Sequence, residues 1–336
     1  MVAPSGIRFF HLADDYLLGV DALVAVGQLA ERTGSNRRER YRSHLEPVFG
    51  SKQIRKISPK LVDDWLDSKY SSGLSLNTIT GAFSLLRSIL DLAVTRGVLV
   101  ENPCSRIPKG KRPQAKNRTQ PRVLSDSDVG ALLSASTPGL RLLFTVYAET
   151  GLRRQEMLGL VWDDIDLEAG VIHVRYQLTI AKAGKPARRV ALKTGAGDRE
   201  IPLSSEMVDQ LKAHRQEALK FGRHGGSSFV FSTASGLPLH ARNVSRAFRL
   251  AGDAAGLNRE GVEPVSLHDL RHTACSRLIA SGLSVVQVQR LAGHANAAIT
   301  LRLYSHEFAR NENREDVRQK MGAGTSTRLS VAGGGS

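Results

Sequence analysis

The first hundred residues carry apolar side chains at spacings of three and four, the period of an amphipathic helix. The clearest run begins after Ser75, a residue type that favours helix N-termini. Its apolar positions are Leu76, Ile79, Phe83, Leu86, Leu90 and Ala93. Gly97 and the pair Asn102-Pro103 end the run. Similar patterns predict helices over residues 12–31, 36–48 and 59–71, so this part of the chain is expected to be helical.

The pattern changes in the second part of the chain. Ser125 and the acidic residues after it form a helix start, and helices are expected to about Val161. Short segments rich in Val and Ile, separated by glycines, predict strands over residues 171–178, 187–192 and 199–203. After Pro238 the helical pattern returns. The expected fold class is therefore mainly α with a small β-sheet, and the second part is an α+β domain.

A basic and proline-rich segment separates the two parts. Between Ser105 and Arg122 the sequence has seven Lys or Arg residues and no acidic residue, and three prolines break any helix. We expect an extended linker, either a passive tether or, as we favour, a strap along phosphate groups. The candidate phosphate-binding residues of this strap are Lys109, Lys111 and Arg112.

The predicted organisation therefore has four parts. A helical domain covers residues 1–105, a basic linker 106–122 and an α+β domain 123–321. The small, polar tail over 322–336 is expected to be disordered.

The charge balance points to a polyanionic partner. The chain has 47 Lys and Arg residues against 32 Asp and Glu residues, a formal net charge of +15. Nucleic acid is the first candidate, an anionic membrane surface the second, and a merely solvated cationic surface the alternative. The two cysteines, Cys104 and Cys275, make neither a disulfide framework nor a CxxC metal site, so a cytoplasmic protein is expected. No membrane span and no phosphate-binding P-loop motif is recognisable in the sequence.

Four short clusters carry side chains suited to phosphate chemistry. They are TGLRRQE at 150–156, LKTG at 192–195, HDLRH at 268–272, and LAGH at 291–294 followed by TLRLYSH at 300–306. Each is weak alone, because a surface arginine, a hairpin lysine or a packed tyrosine is commonplace. His268 and His272 share a helix face and would suit zinc, but Asp269 stands where the zinc-protease motif has glutamate. A zinc hydrolase is therefore a minority hypothesis.

Together the clusters supply what attack on a phosphodiester without a metal requires. Arginine forks bind the non-bridging oxygens and offset the charge of the transition state. A hydroxyl nucleophile needs a base, and the leaving sugar oxygen needs an acid. The chain offers two arginines, a lysine, histidines and a tyrosine for these tasks.

The order of these residues resembles the tyrosine recombinases of the phage integrase family, over nearly the whole chain. The resemblance rests on six positions: Arg153, Lys193, His268, Arg271, His294 and Tyr304. It implies a helical core-type DNA-binding domain followed by the catalytic domain. The start of the chain lacks the separate arm-binding domain of larger phage integrases, which favours simple core-site recombination or a chain trimmed at its N-terminus.

The resemblance also implies a role for each residue. Tyr304 attacks phosphorus to form a 3′-phosphotyrosine, and Arg153 and Arg271 clamp the scissile phosphate. Lys193 protonates the departing 5′ oxygen, and His268 takes the tyrosine proton. His294 hydrogen-bonds the phosphate. Glu156 orients the catalytic side chains without contacting the substrate. His272 matches a common family histidine to which no role is assigned.

The expected partners follow from this function. They are double-stranded DNA, a homotetramer formed on it, and accessory proteins that bend DNA or set direction; no cofactor and no metal is expected. Integration or excision of a phage or mobile element is the favoured role, in a bacterial or phage setting. A chromosome-dimer resolvase, a type IB-like topoisomerase and a catalytically silent DNA-binding regulator are the alternatives.

Overall fold

The computed structural model describes residues 6–114, 121–179, 186–192 and 198–311. The chain divides into two compact units, one over residues 1–119 and the other over 120–336. Helices dominate both units, and strands occur in the second. The predicted fold class, mainly α with a small β-sheet, is confirmed.

The first unit is a helical bundle. Its helices are α1 (Phe9–Ala25), α2 (Glu31–Arg40), α3 (Glu46–Phe49), α4 (Pro59–Ser71) and α5 (Leu76–Thr95), with a π-helical turn, Tyr41–Leu45, between α2 and α3. Ser75 caps α5 by accepting a hydrogen bond from the backbone N–H of Thr78. The apolar face predicted for α5 is buried at Ile79, Phe83, Leu86, Leu90 and Ala93. This helix is long and apolar enough to cross a membrane by length and composition, yet this face packs in the core of the unit.

The first residues of the expected linker pack on this unit. Ile107 is 2% exposed and belongs to its core. The Lys111 ammonium lies 2.8 and 3.0 Å from the two carboxylate oxygens of Asp63 on α4. Arg112 donates to the backbone carbonyls of Ile107 and Ser105 at 2.8 and 2.7 Å. The basic composition suggested an extended strap, but one apolar side chain and nearby acidic residues fold this stretch back onto the helices.

The second unit contains the remaining elements. Its helices are α6 (Asp126–Ala135), α7 (Pro138–Thr150), α8 (Arg154–Leu158), α9 (Ser205–Leu219), α10 (Ala241–Ala254), α11 (Leu267–Ala280), α12 (Val285–Ala292) and α13 (Ala297–Asn311). Its strands are β1 (Ile165–Asp166), β2 (Val171–Val174), β3 (Tyr176–Leu178), β4 (Arg189–Ala191) and β5 (Arg199–Pro202). The strands β1-β2-β5 form one antiparallel sheet in that order, and β3 pairs with β4. The helix α9 was not expected from the sequence.

Two hydrophobic clusters hold the second unit together, and α11 belongs to both. Its residues Leu267 and Leu270 lie in the large cluster, which includes residues of α6, α7, α10 and the three-stranded sheet. The opposite side of α11 packs on α12 and α13 through a smaller cluster: Cys275, Ile279, Val288, Ala292, Leu303 and Tyr304. The helix that carries the HDLRH cluster therefore lies directly between the main core and the predicted nucleophile.

Candidate active site

The turn between α7 and α8 positions Arg153. Gly151 ends α7 in the left-handed conformation with φ of 59°, which a residue without Cβ adopts readily. Arg153 then caps α8: its backbone N–H donates to Glu156 Oε2 at 2.8 Å, and its Nη1 donates to Oε1 at 2.7 Å. Arg153 and Glu156 therefore have the spacing of a helix N-terminus at which the side chain three residues later hydrogen-bonds the capping residue.

Glu156 is fully buried and holds a second arginine that the sequence argument missed. Arg199, the first residue of β5, donates from Nη2 to Glu156 Oε2 at 2.8 Å and from Nη1 to Oε1 at 3.2 Å. Both side chains are at most 1% exposed. Burial alone would raise the pKa of the Glu156 carboxyl, but the hydrogen bonds and charges of Arg199 and Arg153 outweigh burial and lower it. Glu156 is therefore an anion that fixes two guanidinium groups.

Gly293 brings the end of α12 against the same arginines. It is left-handed, with φ of 65°, and a Cβ there would lie 2.8 Å from Arg199 Nη1 and 3.0 Å from Arg153 Nη1. Its carbonyl oxygen accepts a hydrogen bond from Arg153 Nη2. Arg199 Nε in turn donates to the Leu291 carbonyl at 2.7 Å. The glycine in LAGH is thus required by close contact as well as by conformation.

Arg271, on α11, lies between the turn after α7 and the end of α12. It is 4% exposed, and its two terminal nitrogens donate to the carbonyls of Gly151 and Ala292, each at 2.6 Å. Burial lowers the pKa of its guanidinium, and the charge of Arg153 acts in the same direction. The turn after α7 and the end of α12 therefore bring together Arg153 and Arg271, the two residues to which the family resemblance assigns a phosphate clamp.

His294 follows Gly293 directly. Its Nδ1 lies 2.9 Å from the hydroxyl oxygen of the buried Thr300, and its backbone N–H donates to the Gln289 carbonyl at 3.0 Å. Burial lowers the pKa of His294 to about 4, with the positive charges of Arg271 and Arg153 adding to the effect. The imidazole is therefore neutral near pH 7. In the tautomer whose Nδ1 accepts from Thr300, Nε2 carries a hydrogen that can be donated to a phosphate oxygen.

Tyr304 lies on α13 and is 1% exposed. Its hydroxyl oxygen is 2.6 Å from Nδ1 of His272, and Cys275 lies in the same buried cluster as Tyr304. Burial raises the pKa of the Tyr304 hydroxyl, Cys275 raises it further, and Arg271 lowers it. Arg271 directly precedes His272 on α11, so the contact with His272 brings the predicted nucleophile close to one arginine of the pair. The packing of Cys275 in one cluster with Tyr304 was not foreseen from the sequence.

The other predicted site residues are placed differently. His268 is exposed, and its ring meets that of His272 edge-on with centroids 5.2 Å apart. Lys193 lies outside the described residues. Its role as an acid and that of His268 as a base therefore stay predictions. Among the described residues, no group of three His, Cys, Asp or Glu side chains is arranged to hold a metal ion.

This arrangement can bind and polarise an anionic tetrahedral group. Two guanidinium groups and a neutral imidazole provide donors, and backbone carbonyls and Glu156 fix both arginines before any ligand arrives. Donors held in advance stabilise a developing negative charge without reorganisation. The nearby phenol can attack such a group once its proton is removed.

Comparisons with known proteins identify the family of the chain. The family model described as "Phage integrase family" matches residues 122–311, and that of "Phage integrase, N-terminal SAM-like domain" matches residues 24–70. A tyrosine recombinase XerC-like protein of Caldanaerobacter subterraneus subsp. tengcongensis is 30% identical over 290 residues, which cover 79% of this chain and 72% of that protein. An integrase of Streptomyces ambofaciens is 28% identical over 329 residues, which cover 91% and 78% of the two chains.

Solved structures share the fold. The Tn1549 transposon integrase in complex with transposon right end DNA matches with a TM-score of 0.73 and 22% identity, over 94% of this chain and 99% of that one. A lambda integrase dimer bound to a core site matches with a TM-score of 0.64 and 17% identity, over 90% and 95% of the two chains. The family model covers more than half of the chain. The chain therefore belongs to the phage integrase family and is a tyrosine-type site-specific DNA recombinase.

Proposed function

We propose that this recombinase integrates or excises a mobile DNA element by cutting and rejoining double-stranded DNA through a 3′-phosphotyrosine at Tyr304. The observation that carries the proposal is the meeting of Arg153 and Arg271 at the ends of α7 and α12. Tyr304 contacts His272, the residue after Arg271 on α11, at 2.6 Å. Two arginines that can hold a phosphate and a hydroxyl that can attack it together support the proposal.

The reaction divides among the residues as follows. Arg153 and Arg271 hold the non-bridging oxygens of the scissile phosphate, and neutral His294 donates a third hydrogen bond. Tyr304 attacks phosphorus, and the 5′ oxygen of the next nucleotide leaves. Glu156 holds Arg153 in place and does not contact the DNA. The phosphotyrosine conserves the energy of the broken bond, so that a 5′-hydroxyl can displace the tyrosine without a nucleotide cofactor.

The decisive experiment is recovery of the covalent adduct. The protein is incubated with a library of duplex fragments, denatured, and digested with a protease, and the DNA-linked peptide is identified by mass spectrometry. We expect the DNA on a peptide that contains Tyr304, and the attached DNA to share a common sequence. Tyr304→Phe is the matched control, because it removes only the attacking oxygen. An adduct formed by Tyr304→Phe would identify another nucleophile and defeat the proposal.

We propose Lys193 as the acid that protonates the leaving 5′ oxygen. Loss of a general acid costs about 10²–10⁴ in rate when the leaving group is an alkoxide. A thiolate leaves without that help, since a thiol has a pKa of about 8.5. On DNA with sulfur at the 5′-bridging position, Lys193→Ala should regain nearly wild-type cleavage, whereas Arg153→Ala should stay slow. If sulfur fails to restore cleavage, the acid is another group, with Lys182, Lys185 and His294 as the candidates.

The active assembly is proposed to be a tetramer on DNA. Exchange between two duplexes requires four strand cuts, and each chain supplies one Tyr304. One structural neighbour is a lambda integrase tetramer bound to a Holliday junction. The family resemblance suggests that the segment after Tyr304 packs on a neighbouring protomer. Deletion from Asn311 onward should then leave DNA binding intact but reduce recombination; normal recombination by the shortened chain would contradict this.

A chromosome-dimer resolvase is the second candidate, favoured by the XerC-like relative. The DNA recovered from the adduct distinguishes the two roles, because it belongs either to the ends of an element or to one chromosomal site. A topoisomerase would relax supercoiled plasmid without joining two sites. A silent regulator would bind DNA and form no adduct.

A further inference from the structure

The tyrosine hydroxyl has a histidine partner to which the family resemblance assigns no role. Nδ1 of His272 and the hydroxyl oxygen of Tyr304 are 2.6 Å apart, a short hydrogen bond between α11 and α13. His268, one helical turn earlier, meets the ring of His272 edge-on at an interplanar angle of 88°. The ring nitrogen that contacts the attacking oxygen therefore belongs to the second histidine of HDLRH.

We propose that His272 accepts the proton of Tyr304 through Nδ1 while the tyrosine attacks the scissile phosphate. This inference rests on the proposed function, and it moves the role of base from His268, where the resemblance places it, to His272. The O–H bond of Tyr304 breaks and its proton moves to Nδ1, and the freed electron pair forms the new O–P bond. The bond from phosphorus to the 5′ oxygen breaks, and that oxygen takes a proton from the general acid. During rejoining, His272 returns its proton to Tyr304.

A base in contact is needed because Tyr304 cannot ionise in advance. Even an exposed tyrosine, with a pKa of about 10, is ionised in only about one molecule in a thousand at pH 7. Burial raises the pKa of Tyr304 further. The proton must therefore leave during the attack, and it must go to a group that already lies within hydrogen-bond distance.

The other neighbours suit this task less well. Cys275 packs in the same cluster as Tyr304, but a thiol sulfur is a weak acceptor, and burial raises the pKa of this thiol. His294 has its Nδ1 beside Thr300, and burial lowers its pKa to about 4, which makes it a poor base. His268 contacts the ring of His272, a position that suits it to orient the acceptor.

The test separates proton acceptance from hydrogen bonding. In His272→Asn the side-chain oxygen can occupy the position of Nδ1 and accept the tyrosine hydrogen bond, but it takes no proton near pH 7. In His272→Ala the ring is removed and leaves space for imidazole from solution. His268→Asn is the matched control on the same helix. The substrate is a nicked duplex that carries the sequence recovered from the wild-type adduct, and the rate of adduct formation is measured in a single turnover.

We expect His272→Asn and His272→Ala to form the adduct about 10²–10⁴-fold more slowly than the wild type. Added imidazole should raise the rate of adduct formation by His272→Ala at least tenfold and leave the rate of His272→Asn unchanged. His268→Asn should lose less than either. A His272→Asn rate within fivefold of the wild type, or no response of His272→Ala to imidazole, would overturn the inference.

Two further measurements keep the result interpretable. His272 is proposed to act on Tyr304 alone, so the His272 variants should bind the same duplex as tightly as wild type. A parallel loss of DNA affinity and rate would give His272 a structural role and overturn the inference. If the wild-type protein itself forms no adduct, the proposed function fails first. An adduct in the wild type with an unimpaired His272→Asn defeats only the assignment of His272.

Discussion

Removal of the Glu156 carboxylate should destabilise the second unit strongly, because it leaves a buried charge without its partner. Arg199 is 1% exposed on its side chain, and Glu156 is fully buried. Breaking a buried ion pair by removal of one partner costs about 3–5 kcal/mol. Arg153 is 39% exposed on its side chain, so water screens its charge, and its lost contact adds little. The loss in free energy of unfolding expected for Glu156→Met therefore comes mainly from the buried charge of Arg199.

The double variant gives the sharper test. Replacement of both partners by apolar side chains of similar size is often close to neutral. Here it also removes the hydrogen bond from Arg199 Nε to the Leu291 carbonyl, which contributes about 1 kcal/mol. Glu156→Met with Arg199→Met should thus be less destabilised than either single variant. The coupling between the two positions should amount to several kcal/mol, which no sum of independent effects produces.

Urea unfolding followed by tryptophan fluorescence measures these changes. Trp162 lies in the second unit and Trp65 in the first, so Trp65→Phe serves as the reference background. With a slope of about 2 kcal/mol per molar urea, the single variants should lower the midpoint by about 1.5–2.5 M.

An exposed ion pair gives the control for this experiment. Lys220 and Glu217 are 67% and 57% exposed on their side chains, and loss of their pairing should cost less than about 1 kcal/mol. If the effects of Glu156→Met and Arg199→Met simply add, the buried pair is not what stabilises this corner of the site.

Three further predictions follow from single residues. Because burial lowers the pKa of His294 to about 4, the unfolded state takes up its proton first as pH falls below the ordinary value of about 6.5. Between pH 7 and pH 4, the free energy of unfolding should therefore fall by up to about 3 kcal/mol less in His294→Asn than in the wild type. Equal decreases in the two proteins would contradict the lowered pKa of His294. Gly293→Ala should lower the melting temperature and slow adduct formation, since its Cβ would lie 2.8 Å from Arg199 Nη1. Lys109→Ala should weaken DNA binding on every sequence and flatten its salt dependence, as seen in filter binding at several salt concentrations; a loss on one sequence alone would refute a phosphate contact.

Local patterns were sufficient to predict the main helices, whereas the members of the arginine pair came from the family resemblance. Ser75 and the spacing of Ile79, Phe83 and Leu86 predicted α5, because capping and one buried face are both encoded within a single helix. Gly151 and the residues after it in TGLRRQE are likewise typical of a glycine turn into a helix, and the structure adds that Glu156 hydrogen-bonds Arg153. Features that depend on a few neighbouring residues were therefore visible in the sequence.

Contacts between distant segments were not visible. Arg199 stands 43 residues after Glu156, and a lone arginine on a strand resembles a soluble edge until the fold buries it. Cys275 was noted only as making no disulfide or metal site, and its place in one cluster with Tyr304 depends on how α13 packs on α11. Lys111 seemed available for phosphate, whereas it pairs with Asp63, 48 residues earlier. In each case the partner is supplied by another element, so composition and spacing carry no sign of it.

The charge of the site suits the transition state better than the bound DNA. Arg153 and Arg199 share one anion, Glu156, and Arg271 is held by backbone carbonyls, so three guanidinium charges against one carboxylate leave two positive charges at the proposed phosphate site. His294 adds none, because burial lowers its pKa to about 4. A phosphodiester carries one negative charge, and the five-coordinate species formed by attack of a phenolate carries two. A dicationic site held rigid by backbone carbonyls therefore gains more interaction as the second charge develops, and such differential binding is what accelerates a reaction.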